Sequence, residues 1–147
     1  MPPKIIKTVL ATKNDFVLFT EDNRMFVNPT FEAVQEVLDS LDTGFGNSFA
    51  ILNRGENYVQ TLHGLNGFHL ELRENMESSF VHYRVGRISD SGGLAELKKS
   101  DDMTSQGFSN ELLKLHDVVS IFSDFLHGQP RSEAFVWREV DLKGDTL

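Results

Sequence analysis

The sequence predicts an α+β fold, an antiparallel β-sheet meander with two main helices packed on one of its faces. Between residues 48 and 85, four short segments alternate apolar and polar residues and are separated only by turn material. Only two substantial segments, one after Asn28 and one after Phe108, carry apolar residues at helical spacing. The regular strand–helix alternation of a doubly wound parallel sheet is missing. A chain of 147 residues suits a single domain spanning 1–147. It is long enough to bury about 70% of its unfolded surface, so no metal or disulfide is needed to hold it together.

The elements follow in order. Residues 4–11 (KIIKTVLA) and 15–20 (DFVLFT) are rich in β-branched and aromatic residues and read as strands. Glu21–Arg24 is polar enough for a turn, and Met25–Val27 returns as a short strand. Asn28-Pro29 predicts a helix start: Asn caps a free backbone N–H, and proline loses nothing at the first helical position. Phe31, Val34, Leu38 and Leu41 then form one buried stripe, with Val37 at its margin. Gly44 and Gly46 are expected to end this helix.

The meander comes next, as Ser48–Leu52, Asn57–Leu62, Gly67–Arg73 and Ser79–Val85. Its connections at Asn53–Glu56 and His63–Asn66 contain Gly and Asn, which tolerate positive φ. Phe68, Leu70 and Leu72 share one strand face, while His69, Glu71 and Arg73 share the other. Val81, Tyr83 and Val85 alternate likewise with His82 and Arg84. One face is expected to pack on the core and the other to stay polar. Ser89–Gly93 reads as a loop, Leu94–Lys99 as a brief helical turn or an edge strand, and residues 100–107 as mobile. From Phe108 to His127 the apolar spacing predicts a second helix, ended by Gly128 and kept from resuming by Pro130. Glu133–Val140 closes the chain as a strand, with Phe135 and Trp137 on one face, which suits core packing rather than the alternative of an interface anchor.

Composition narrows the function. The chain has no cysteine, which excludes disulfide scaffolds, thiolate nucleophiles and cysteine-based metal sites and fits a cytoplasmic protein. No apolar run reaches membrane-spanning length, and the N-terminal apolar stretch is too short for a good secretory signal. The formal net charge is -8. Residues 28–45 hold four acidic residues and no basic one, so the acid gathers around the predicted helices. Such a surface repels nucleic acid and anionic lipid and steers a basic partner toward itself.

No motif of an enzyme stands out. His69, Glu71 and His82 would form a metal or acid–base cluster if neighbouring strands brought them together. The chain holds no HExxH sequence, and Asp90-Ser91-Gly92-Gly93 lacks the pattern of a phosphate loop. No catalytic residue, metal ligand or cofactor site is assigned. The best candidate partner-binding set is Glu56, Tyr58, Gln60, His69, Glu71, Arg73 and His82, with Asn57 beside it, because turns and polar strand faces present side chains at little ordering cost.

The stretches NPTFEAVQEVLDSLD, FAILNRGENYVQTLHGLNGFHLELRE and FVHYR together resemble the small immunity proteins of bacterial polymorphic toxin systems, in the group associated with deaminase and nuclease toxins. The likeness lies in the order of features over roughly residues 25–85. It comprises an Asn-Pro helix start, a helix ending in Leu-Asp, a Tyr-Val-Gln strand, a Gly-containing turn and a strand ending in Arg-Glu. The resemblance implies a cytoplasmic α+β inhibitor that binds and occludes a cognate toxin, without catalysis. An acidic inhibitor would associate quickly with a basic, nucleic-acid-targeting toxin, and Glu32, Glu36, Asp39, Asp117 and Asp124 are the candidate steering charges. Two other readings stand beside it: a non-catalytic protein-interaction or small-ligand domain, and an enzyme with a His/Glu site on the sheet face. An exposed sheet edge would also allow a homodimer.

Overall fold

A computed structural model describes residues 14–43, 46–77, 79–88, 94–100 and 103–140. The expected strand at residues 4–11 lies outside them, as does Gly44. The described chain runs β1 (Phe16–Thr20), β2 (Met25–Val27), α1 (Phe31–Asp39), β3 (Phe49–Arg54), β4 (Asn57–Gly64), β5 (Gly67–Met76), β6 (Ser79–Arg87), β7 (Leu94–Ser100) and β8 (Met103–Phe108). A 3-10 turn (Ser109–Glu111), α2 (Leu115–Leu126) and β9 (Phe135–Val140) complete it. Seven strands form one antiparallel sheet in the order β2-β1-β3-β4-β5-β6-β9, and β7 and β8 form a separate hairpin. The fold is α+β, as the sequence predicts.

Alternation decides the faces. Leu18, Leu52, Val59, Leu70 and Leu72 point to one side of the sheet, where Val34, Val37 and Leu38 of α1 meet Val118, Ile121 and Phe122 of α2. Fully burying each such side chain contributes roughly 1.5–3 kcal/mol. Val37 is 2% exposed and therefore belongs to the centre of the α1 stripe, not its margin, whereas Phe31 is only half-buried.

The start of α1 differs from the expected Asn-Pro cap. Thr30 is the cap, its hydroxyl accepting from Ala33 N at 3.1 Å. Asn28, at φ 49°, instead closes the mouth of the β1–β2 hairpin. Its Oδ1 accepts from Phe16 N at 3.0 Å and its own N–H donates to Phe16 O at 2.6 Å. Asn tolerates the left-handed conformation this requires. The helix closes at Ser40, whose Oγ donates to Val37 O, before either expected glycine is reached.

The second helix is also shorter than expected. Phe108 N donates to Glu111 Oε1 and Lys114 N donates to Asp117 Oδ2, each at 3.0 Å, so two turns start separately. Between them Leu113 pairs with Phe68 in antiparallel fashion, with N–O distances of 3.0 and 2.8 Å. This fills the edge of β5 that β6, paired only as far as Glu71, leaves open. A backbone extended for sheet pairing cannot be helical, so the continuous stripe from Phe108 is broken at Leu113. Leu94–Ser100 pairs with Met103–Phe108 as a hairpin, so of the two alternatives for Leu94–Lys99 the strand is the one present, and residues 103–107, expected to be mobile, form its partner strand.

The second face of the sheet is not uniformly hydrated. The 3-10 turn sits on it over β6 and β9, and β7 lies against β4 and β5. His69, Glu71 and Arg84 are consequently buried, where a polar, water-facing surface was expected. Phe135 and Trp137 pack at the margin of the core, and Trp137 Nε1 donates to Ser132 O at 2.8 Å.

Candidate functional site

The strand register lays the polar face out in rows. Tyr58, Arg73, His82 and Val140 stand side by side on β4, β5, β6 and β9. The next row is Gln60, Glu71, Arg84 and Arg138. Of the expected partner-binding set, Tyr58, Gln60, Arg73 and His82 are half-buried, Glu56 is exposed in the β3–β4 turn, and His69 and Glu71 are buried. All but Glu56 share this face.

The outer row is built around one cation. The Arg73 guanidinium lies 4.7 Å from the Tyr58 ring centroid and 4.4 Å from that of Phe80, and its Nε donates to Glu56 O at 2.9 Å. Both distances are within the range of cation–π attraction. Tyr58 also makes an edge contact with His82, at 6.3 Å between centroids. Burial raises the Tyr58 hydroxyl above its ordinary pKa, and Arg73 opposes that shift. Burial, with Arg73 adding to it, holds His82 below the ordinary histidine range. The row therefore presents neutral aromatic groups around one fixed positive charge at neutral pH. Phe80, 43% exposed, was not foreseen as part of it. Its place beyond His82 on the same strand face was legible from alternation alone.

The inner row is buried and paired. Glu71 Oε1 accepts from Gln60 Nε2 at 3.0 Å and Oε2 from Arg84 Nη2 at 3.2 Å. Arg138 is held by Glu111, which is 2% exposed. Beside this row lies a cavity of about 200 Å³ lined by Phe49, Leu62, Gln60, His69, Glu71 and Arg84. Burial first, then Arg84, pushes the His69 imidazole down to about 4.

The register does not meet the condition for a His69–Glu71–His82 cluster. Arg84 stands opposite Glu71, His82 stands opposite Arg73, and His69 stands opposite Leu62. Among the described residues no three His, Asp or Glu side chains are grouped to hold a metal ion. Among the described residues, Ser123 Oγ approaches His127 Nδ1 at 3.3 Å, but this contact cannot activate a nucleophile. The same Nδ1 lies 2.7 Å from the Ser123 carbonyl oxygen, which only accepts, so Nδ1 holds its proton and cannot take one.

The steering charges divide. Glu32, Glu36 and Asp39 are exposed on α1, on the helix side of the sheet and away from the Arg73 row. Asp117 is instead a structural cap at the start of α2, since its carboxylate accepts from Lys114 N. Asp124 is half-buried and lines a second cavity, of about 180 Å³, with Arg54, Phe125, Arg131 and Trp137. None of the described helices is long and apolar enough to cross a membrane. No protein-family model matches the chain, and no curated protein or solved structure matches it significantly.

Proposed function

We propose that the protein is a non-catalytic inhibitor of the immunity type, which binds a basic toxin domain in the cytoplasm and blocks it by occupation. The reading rests on the resemblance in residues 25–85 and on one structural observation, the Tyr58–Arg73–Phe80 arrangement. Hot spots of protein interfaces are enriched in Tyr and Arg. Here the arginine is already clamped between two rings and tied to the Glu56 carbonyl, so little side-chain freedom remains to be lost on association. The exposed carboxylates of α1 act at longer range, raising the rate of encounter with a basic partner.

The test is capture of the toxin domain by the wild-type protein, followed by binding kinetics and neutralisation of toxicity on co-expression. Arg73→Ala and Tyr58→Ala are each expected to weaken the complex by about 30-fold, chiefly through faster dissociation. Reversing Glu32, Glu36 and Asp39 is expected to slow association in low salt and leave dissociation nearly unchanged. A toxin complex indifferent to Tyr58, Arg73 and Phe80, with the variants folded, would remove the sheet face from the reading. A folded protein that neither binds nor protects against a toxin would end it.

A further inference from the structure

The cavity beside the inner row is lined by apolar and polar side chains, and the polar ones are balanced in charge but keep hydrogen-bonding capacity to spare. Glu71 is 4% exposed and Arg84 3%, and they cancel one another's charge at 3.2 Å. Each Glu71 oxygen accepts one hydrogen bond, from Gln60 or from Arg84, whereas a carboxylate has sites for about four. The Gln60 amide nitrogen donates one of its two hydrogens to Glu71 and has a second to offer. A primary amide, or a nitrogen heterocycle with a donor beside an acceptor, would donate to Glu71 and accept from Gln60. Phe49 and Leu62 would cover its apolar body. At about 200 Å³ the space exceeds the ~150 Å³ apolar cavity that suffices to hold a benzene ring.

The charge of the occupant follows from the same residues. An anion would face Glu71 and a cation would face Arg84, each buried, and neither ligand charge would find a compensating partner of its own. His69 reports the same environment from inside the protein, since burial and Arg84 keep its imidazole neutral. We propose that this cavity is a binding site for an uncharged, ring-sized molecule bearing an amide or an equivalent donor–acceptor edge. The site is separate from the Tyr58–Arg73–Phe80 arrangement, and the proposal does not rest on the inhibitor reading.

Three compounds of nearly the same shape isolate the charge: benzamide is neutral, benzoate is an anion and benzamidine is a cation. Amide NMR spectra of the wild-type protein titrated with each provide the readout. Benzamide is expected to shift the Leu62, His69, Glu71 and Arg84 resonances saturably, with the charged analogues at least tenfold weaker. Leu62→Trp, at a half-buried wall position, fills the space and is expected to abolish the benzamide response while the remaining spectrum keeps its dispersion. Absence of a saturable shift at these amides up to the solubility of benzamide would overturn the proposal. So would equal binding of either charged analogue, or a benzamide response that survives in a folded Leu62→Trp protein.

Discussion

Arg138 on the last strand donates from both Nε and Nη2 to the carboxylate of Glu111, at 2.8 and 3.0 Å, and so ties β9 to the turn before α2. Glu111 has almost no exposure, while about a third of the Arg138 side chain faces water. The two partners are therefore unequal when removed. Arg138→Met strands a buried carboxylate and is expected to cost about 3 kcal/mol. Glu111→Gln keeps an acceptor for Phe108 N and lets Arg138 hydrate, at about 1 kcal/mol. Urea denaturation with unchanged m-values checks the order.

Glu71 and Arg84 form the more deeply buried pair, and they are coupled. Arg84→Met alone, or Glu71→Leu alone, is expected to destabilise by about 3–5 kcal/mol, because each leaves a charge buried without its partner. The double variant is expected to regain most of that loss, since apolar replacement of a whole buried pair is often close to neutral. A double-mutant cycle measures the difference, and additive single effects would show that the two charges act independently.

His69 gives the stability a defined dependence on pH. Its folded pKa, about 4, lies below the value of 6.5 expected for the unfolded chain. As pH falls through 6.5 the unfolded state takes up a proton that the folded state refuses, so stability falls until both are protonated below about 4. The loss between pH 7.5 and pH 5 is about 2 kcal/mol from this residue. His82 is shifted in the same direction and adds to the slope. Asp22, held low first by its hydrogen bond from Thr20, acts only in the more acidic range below its ordinary value. The His69→Gln protein is expected to show a correspondingly flatter stability profile between pH 5 and 7.5.

Thr30 and Asn28 separate helix capping from hairpin closure. Thr30→Ala removes the acceptor for Ala33 N and is expected to cost about 1 kcal/mol with some fraying of α1. Asn28→Gly keeps the positive φ but loses the bond to Phe16 N, at a similar cost and with the helicity of α1 retained. Far-ultraviolet circular dichroism distinguishes the two.

The β3–β6 meander and the apolar face of α1 were legible because alternation and helical spacing each point one way there. Asn28 misled because Asn-Pro is also a helix-start signal, and only the return of β2 along β1 gives Asn28 its other partner, Phe16. Leu112, Leu113 and Leu115 satisfy a helical stripe as well as they satisfy the turn that exists. The Phe68 backbone, distant in sequence, decides between the two. Tyr58 and Arg73 were identifiable as neighbours from strand pairing, but the burial of Glu71 was not. That burial depends on the turn and hairpin folding back over a face whose own residues look water-seeking. The opposite charges of Glu71 and Arg84 on adjacent strands were the available sign.

The Phe68–Leu113 bridge has a consequence for the time course of folding. All of β6 and the β7–β8 hairpin lie within the chain loop that this bridge closes. The flank of the central strand beyond Glu71 must therefore wait for a distant segment, while the neighbouring β3–β4 and β4–β5 pairs close through short turns. The sheet is thus expected to zip outward from its local hairpins and to dock α2 late, which φ-values near zero at Leu113 and Val118 and higher ones in the β3–β4 and β4–β5 pairs would show.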